Sequence, residues 1–338
     1  MKICHVVGAR PNYMKVAPVS RALQLCSDSQ QVLVHTGQHY DFNMSEVFFQ
    51  QLGIAAPDIN LKVGSGSHAQ QTADIMVRFE RVLSTEKPDL VLVYGDVNST
   101  VAAALVCAKA GVKLGHVEAG LRSFDRRMPE ELNRVVTDQL ADLLFTPSVD
   151  GNLNLGREGI TSEKVFFVGN VMIDTLIRML PIISEYTFPH LPKRYALVTL
   201  HRPSNVDDVN WLKDMIEMLT GVTKDIAVIF PVHPRTRQRI SALNLPLSSA
   251  LHLLDPLPYL EFLALERCAT VVITDSGGIQ EETTFLGVPC LTVRDNTERP
   301  VTIQIGTNEL VGRDLGQIAA ALEKVLQGSR KPFAVPPL

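Results

Sequence analysis

Cysteine, aromatic side chains and charge of one sign are all scarce in this chain, and each scarcity removes a class of protein. Its 338 residues include five cysteines, Cys4, Cys26, Cys107, Cys268 and Cys290, scattered and without a C-x-x-C pair. That pattern excludes a disulfide framework or a zinc knuckle. The apolar settings of these cysteines read as reduced core positions in a cytoplasmic protein. Aromatic residues make up 6% and the net charge is −4, with no basic run; binding of nucleic acid by bulk electrostatics is excluded. No apolar run reaches the ~20 residues that span a bilayer, and the chain enters a strand at once, KICHVVG, without a signal-peptide layout. Also missing are G-x-G-x-x-G, H-E-x-x-H and G-x-S-x-G, so no dinucleotide cofactor, metal ion or nucleophile elbow is signalled.

What is present is a long alternation of short apolar runs and helical patterns, in a composition that is 46% hydrophobic. Strands are expected at 2–8, 32–36, 89–94, 113–117, 142–146 and 165–168, then at 195–200, 226–232, 251–254, 270–274 and 288–293. Most are apolar at consecutive positions, as strands buried on both faces should be. Helical stretches such as 97–110, 129–141, 209–223 and 314–327 lie between them. This order predicts an α/β protein of two Rossmann-like domains, residues 1–169 and 170–338, facing each other across a cleft. The hinge is expected near Gly169-Asn170, followed by a helix from Val171 to Leu180 and a Pro-rich loop over 181–192.

The segment Thr274-Asp-Ser-Gly-Gly-Ile-Gln-Glu-Glu282 follows a buried strand and opens a helix. Ser276, Gly277 and Gly278 leave backbone N–H groups accessible at a helix N-terminus, a seat for phosphate. Glu282 can accept hydrogen bonds from two ribose hydroxyls, so the segment suits a nucleoside diphosphate. An ordinary strand–turn–helix corner would also account for it. Other polar clusters follow strand ends. Arg10 and Lys15 straddle a turn and could meet one anion. Asp96 and Asp275 suit either chemistry or helix N-caps. His116-x-Glu118 falls at the end of a buried strand, where pairing with Arg122 would explain the glutamate. Glu130 and Glu131 fill the first turn of a helix opened by Pro129, which the helix dipole favours. His201 and His233 end two strands of the second half.

Together these residues resemble the non-hydrolysing UDP-N-acetylglucosamine 2-epimerases. The resemblance is carried in order by GARPNYMKVAP (8–18), YGDVNST (94–100), GHVEAGLRSFD (115–125), PEELNR (129–134), HRPSN (201–205), TDSGGIQEE (274–282), LGVPCLTVR (286–294) and TERP (297–300). It implies the glycosyltransferase-B architecture and a cytoplasmic homodimer needing no cofactor or metal. The implied reaction interconverts UDP-GlcNAc and UDP-ManNAc through UDP elimination and 2-acetamidoglucal. By the same resemblance Asp96, Glu118, Glu130 and His201 are catalytic, and Arg10, Lys15, Phe262, Ser276, Gly277, Gly278, Glu282 and Arg299 bind substrate. Gln38, His39 and His233 match a second, activating nucleotide-sugar site. Pro203-Ser204 replaces the Arg-Glu that many bacterial members carry there, and Asn12 replaces a Glu after Arg10-Pro11. A UDP-sugar glycosyltransferase would need one base for an acceptor hydroxyl, not three carboxylates. A hydrolysing epimerase would release ManNAc.

Overall fold

The computed structural model of the chain describes residues 1–38 and 49–336. It divides into two compact units, Met1–Ile177 and Arg178–Pro336. The division falls inside the helix Val171–Ile183, which runs through Pro181 instead of stopping at Leu180.

Unit 1 holds seven strands, β1 (Lys2–Val7), β2 (Gln30–His35), β3 (Ile59–Asn60), β4 (Leu90–Tyr94), β5 (Lys113–Val117), β6 (Leu143–Thr146) and β7 (Val165–Phe167). They pair in the order β3-β2-β1-β4-β5-β6-β7, all parallel. Cys4 sits between Val32 and Val91 in register. Its face of the sheet is covered by Ile75, Phe79 and Val82 of the helix His68–Glu86 and by Ala102, Ala103 and Ala104 of the helix Asn98–Ala110. Three successive alanines leave no bulk on any side, so that helix sinks until all three are buried.

Unit 2 repeats the plan with β8 (Tyr195–Thr199), β9 (Ala227–Pro231), β10 (Leu251–Leu254), β11 (Val271–Thr274), β12 (Cys290–Thr292) and β13 (Asn308–Leu310), in the order β10-β9-β8-β11-β12-β13. In both sheets the strand order reverses beside the first strand, between β1 and β4 and between β8 and β11. At such a switch point successive crossovers go to opposite faces and leave a crevice at the carboxyl ends, where ligands of this fold bind. The two edge strands β3 and β13 lie outside the expected set; at two and three residues they are too short to show a period.

Pro18 lies inside the helix Arg10–Gln24 without delaying its start. Proline has no N–H for the carbonyl four residues back. That carbonyl, Met14, instead accepts from the Thr175 hydroxyl at 2.6 Å, so the missing helical bond is replaced from elsewhere in unit 1. Not all the cysteines are core residues: Cys4, Cys107 and Cys290 are buried, whereas Cys26 and Cys268 are exposed at helix ends.

Candidate active site

In unit 1 the carboxyl ends of β1, β4 and β5 converge. Asn12 organises the first turn. Its side-chain oxygen accepts from the N–H groups of Gly8 and Ala9, both at 3.0 Å, and its amide donates to the Tyr94 carbonyl at 2.8 Å. This ties the start of the helix Arg10–Gln24, with half-buried Arg10 as its first residue, to the end of β4. One turn on, Lys15 forms a buried ion pair with Glu118, both side chains 6% exposed. Gly95 lies beneath that pair at φ +63°; a Cβ there would stand 2.7 Å from Lys15 Nζ and 3.1 Å from Glu118 Oε2. Glycine is required twice over, by the backbone and by the ammonium group above it.

Glu118 itself has φ +76°. A non-glycine residue held there costs about 1–3 kcal/mol, and the N–H groups of Glu118 and Ala119, both bonded to the Phe145 carbonyl at 3.0 Å, hold the turn in place. The strand and its two-residue alternation therefore end at Val117, and Glu118 lies past it. Arg122 is not the partner of Glu118. It pairs with Asp138 and Glu158, each at 2.7 Å. His116 lies between Asp138 Oδ1 (2.6 Å) and the Gly95 carbonyl (2.8 Å), its Nε2 donating to that carbonyl, and the Gly95–Asp96 turn is anchored. Burial alone would raise the Asp138 carboxyl; His116 and Arg122 outweigh it and hold it below the ordinary aspartate range.

Asp96 does not cap a helix. Val97 is the N-cap of Asn98–Ala110, and Asp96 faces Arg134 at 2.5 Å while its carbonyl accepts from Asn133 at 2.8 Å. The neighbouring glutamates separate. Glu131 is buried, accepting from the N–H and hydroxyl of Ser123, from Phe124 N–H and from Arg134. Burial opposes its charge, but these donors lower its carboxyl below the usual value. Glu130, half-buried, faces the same cavity of about 340 Å³ as Asp96, Gln38, His68 and Asn133. Gln38 is held there by the N–H and hydroxyl of Ser99, which donate to its side-chain oxygen at 3.1 and 2.7 Å. His39 lies outside the described residues. Arg134 was not among the expected site residues; its position three and four residues after two acids on one helix was the readable sign.

In unit 2 the ends of β8 and β11 meet through Asp275. Its carboxylate accepts from the N–H groups of His201 (3.1 Å) and Arg202 (3.0 Å), from His201 Nδ1 (2.8 Å) and from the Asn205 amide (2.9 Å). Asp275 is thus no N-cap; that place belongs to Ser276. Its carboxyl is buried, which works against ionisation, yet His201 and the turn amides keep it below the ordinary range. The His201 side chain is 58% exposed. The bond from Nδ1 to Asp275 fixes the orientation of this exposed ring.

Ser276, Gly277 and Gly278 are half-buried at the start of the helix Gly277–Leu286, whose first turn has no side-chain cap. The space that a Cβ on Gly277 would take is filled by the Glu298 carboxylate, which Arg294 holds at 2.7 Å. Arg299 pairs with Glu281 at 2.8 Å. Half-buried Phe262 packs on the cluster containing Leu265, Val272 and Ile279. Glu282 is buried and accepts from the Tyr259 hydroxyl at 2.8 Å. His233 caps the helix Pro234–Ala242, its Nδ1 accepting from Arg235 N–H at 3.3 Å.

The family model described as UDP-N-acetylglucosamine 2-epimerase matches residues 21–335. The chain belongs to the UDP-N-acetylglucosamine 2-epimerase family. A UDP-N-acetylglucosamine 2-epimerase of Methanococcus maripaludis is 43% identical to it over 97% of this chain and 93% of that one. The UDP-2,3-diacetamido-2,3-dideoxy-D-glucuronate 2-epimerase of Pseudomonas aeruginosa is 42% identical over 98% and 92%. Among solved structures, the Methanocaldococcus jannaschii UDP-GlcNAc 2-epimerase in complex with UDP-GlcNAc and UDP superposes with a TM-score of 0.92 at 42% identity, covering 99% of this chain and 96% of that one. Among the described residues no helix is long and apolar enough to cross a membrane.

Proposed function

We propose that this member of the epimerase family interconverts UDP-GlcNAc and UDP-ManNAc without releasing free sugar. The observation that supports it best is the company of three carboxylates in unit 1. Asp96 carries Arg134, Glu118 carries Lys15, and Glu130 shares a cavity with Asp96. Inverting C2 requires a base on one face of the sugar and an acid on the other. One carboxylate takes the C2 proton. The C1–O bond breaks, UDP departs with the electron pair, and C1=C2 forms. A proton then returns to the opposite face of C2 as a UDP oxygen adds to C1. Arg10 and Lys15 would neutralise the departing diphosphate, an electrostatic task. In unit 2, Ser276, Gly277 and Gly278 would seat phosphate, Glu282 the ribose, Phe262 the uracil and Arg299 the substrate, with His201 supplying a further acid–base group.

Incubation with UDP-GlcNAc in D₂O, followed by proton NMR, tests this. Deuterium at C2 with formation of UDP-ManNAc is expected, and the amide variants of Asp96, Glu118 and Glu130 should each turn over ~10²-fold more slowly or worse. Free ManNAc would make the enzyme a hydrolase. The Pseudomonas relative favours a second substrate, UDP-2,3-diacetamido-2,3-dideoxy-D-glucuronate; exchange with that compound and none with UDP-GlcNAc would transfer the reading to it. We also propose a cytoplasmic homodimer. Phe166, Phe167 and Val168 are 43–52% exposed at edge strand β7, and Val149 and Leu153 of the preceding helix are exposed too. Apolar edges of this kind are normally covered. Sedimentation as a monomer at micromolar concentration would refute it.

A further inference from the structure

The helix Tyr259–Cys268 packs against the helix Gly277–Leu286, and acids line the contact. Tyr259 and Glu266 stand about two helical turns apart, so they face the same way. Tyr259 donates its hydroxyl proton to Glu282. Glu266 is 0% exposed, no donor reaches either of its carboxylate oxygens, and its electrostatic partner is Glu282. The other titratable groups around the pair are Glu281, itself ion-paired with Arg299, and the Cys290 thiol on β12. Among the described residues no cation acts on Glu266 or Glu282 directly.

Two such carboxylates cannot both be charged in an apolar interior. Glu282 has a donor in Tyr259; Glu266 has none. The charge therefore rests on Glu282 and the proton on Glu266. We propose that Glu266 is a neutral acid whose O–H donates a hydrogen bond to Glu282, keeping that carboxylate ionised and aimed at the vicinal hydroxyls of a nucleotide ribose. Glu266 is thereby a positioning residue, acting on ligand only through Glu282. The proposal rests on the ribose assignment made above for Glu282. Burial, aided by the Glu281 charge, outweighs the bonds from Tyr259 and Glu266 and leaves the Glu282 carboxyl raised to about 7; burial and Glu282 push Glu266 far above the carboxylate range. Glu282 thus stands at the edge of ionisation at neutral pH, and losing one donor tips it to the neutral form, which cannot accept two ribose hydroxyls with both oxygens.

The test is calorimetric titration of the whole protein with UDP and with 2′-deoxy-UDP across neutral pH. The ratio of the two affinities cancels the ionisation of the diphosphate and isolates the ribose contact. In the wild type the ratio should fall as pH drops through about 7. In Glu266→Leu that fall should move up by about one pH unit, lowering the ratio about fivefold at pH 7 and ~10-fold at lower pH. Glu266→Gln, whose amide donates as the acid does, should stay within about threefold of wild type. A flat wild-type profile, a Leu variant that tracks wild type, or a Gln variant that loses as much as Leu would each overturn the proposal. Glu282→Gln separates the two layers. If it leaves the ratio unchanged, the ribose assignment fails whatever Glu266 does.

Discussion

Removing Lys15 should damage the protein more than removing Lys15 and the Glu118 charge together. The two side chains are each 6% exposed and bonded to one another, directly above Gly95. Lys15→Met leaves a buried carboxylate without its cation, which costs about 3–5 kcal/mol when the partner stays in place. Glu118→Gln leaves the ammonium group with a neutral acceptor and should cost somewhat less, about 2–3 kcal/mol on the same reasoning. In the double variant no charge remains to be desolvated, and Met and Gln fill nearly the same space. Its loss should be about 2 kcal/mol, set by the missing hydrogen bond and imperfect packing. The cycle therefore predicts a favourable coupling of at least about 3 kcal/mol between the residues, at or beyond the upper end of what contacting pairs show. Urea unfolding of the four proteins measures it. If the single losses simply add in the double variant, within about 0.5 kcal/mol, the pair is not an electrostatic unit and Glu118 keeps its place for another reason. Activity separates from stability here: the double variant should be as inactive as Glu118→Gln, because both lack the carboxylate proposed for acid–base work.

Gly277→Val should weaken UDP binding, measured by calorimetry, by tenfold or more, since its side chain must displace Glu298 at the start of the helix proposed to seat phosphate; wild-type affinity would remove the Ser276-Gly277-Gly278 turn from the site. Glu131, Asp138 and Asp275 all have carboxyl groups lowered by their partners against the opposing pull of burial. The folded state therefore binds fewer protons than the unfolded one in acid, so their stabilisation is complete above the ordinary carboxylate range, about pH 4, and is lost as pH falls below it. Asp138→Asn should lower the Tm strongly at pH 7, and the gap to wild type should narrow toward pH ~3; a constant gap would contradict the linkage. Pro203 and Ser204 stand where many bacterial members carry Arg-Glu, so turnover of UDP-ManNAc should start at time zero. A lag abolished by a trace of UDP-GlcNAc would show that Gln38, His39 and His233 still serve an activating site.

By itself the sequence determined the α/β alternation, because consecutive buried positions and helical spacing are local properties. The strands at 113–117 and 251–254 were legible to the residue, as were the helix opened by Pro129 and the glycine-rich turn after β11. Family membership was legible as well, since eight short motifs in fixed order survive without any structure. Edge strands β3 and β13 were not legible, and neither was the continuation of a helix through Pro181. The two strands owe their hydrogen bonds to neighbouring strands rather than to a local pattern. Only the tertiary structure decided which acid meets which base. Lys15 and Glu118 are 103 positions apart, and no spacing rule joins them. Arg122, close in sequence, was the natural partner for Glu118, but the positive φ at Glu118 turns the chain and Asp138 and Glu158 claim the guanidinium. Asp275 proved to hold His201, and Tyr259 to reach Glu282 from another helix. A charge inside a protein answers to whatever the fold places beside it, and that is fixed by strand order and crossover, not by the residues next to it in the chain.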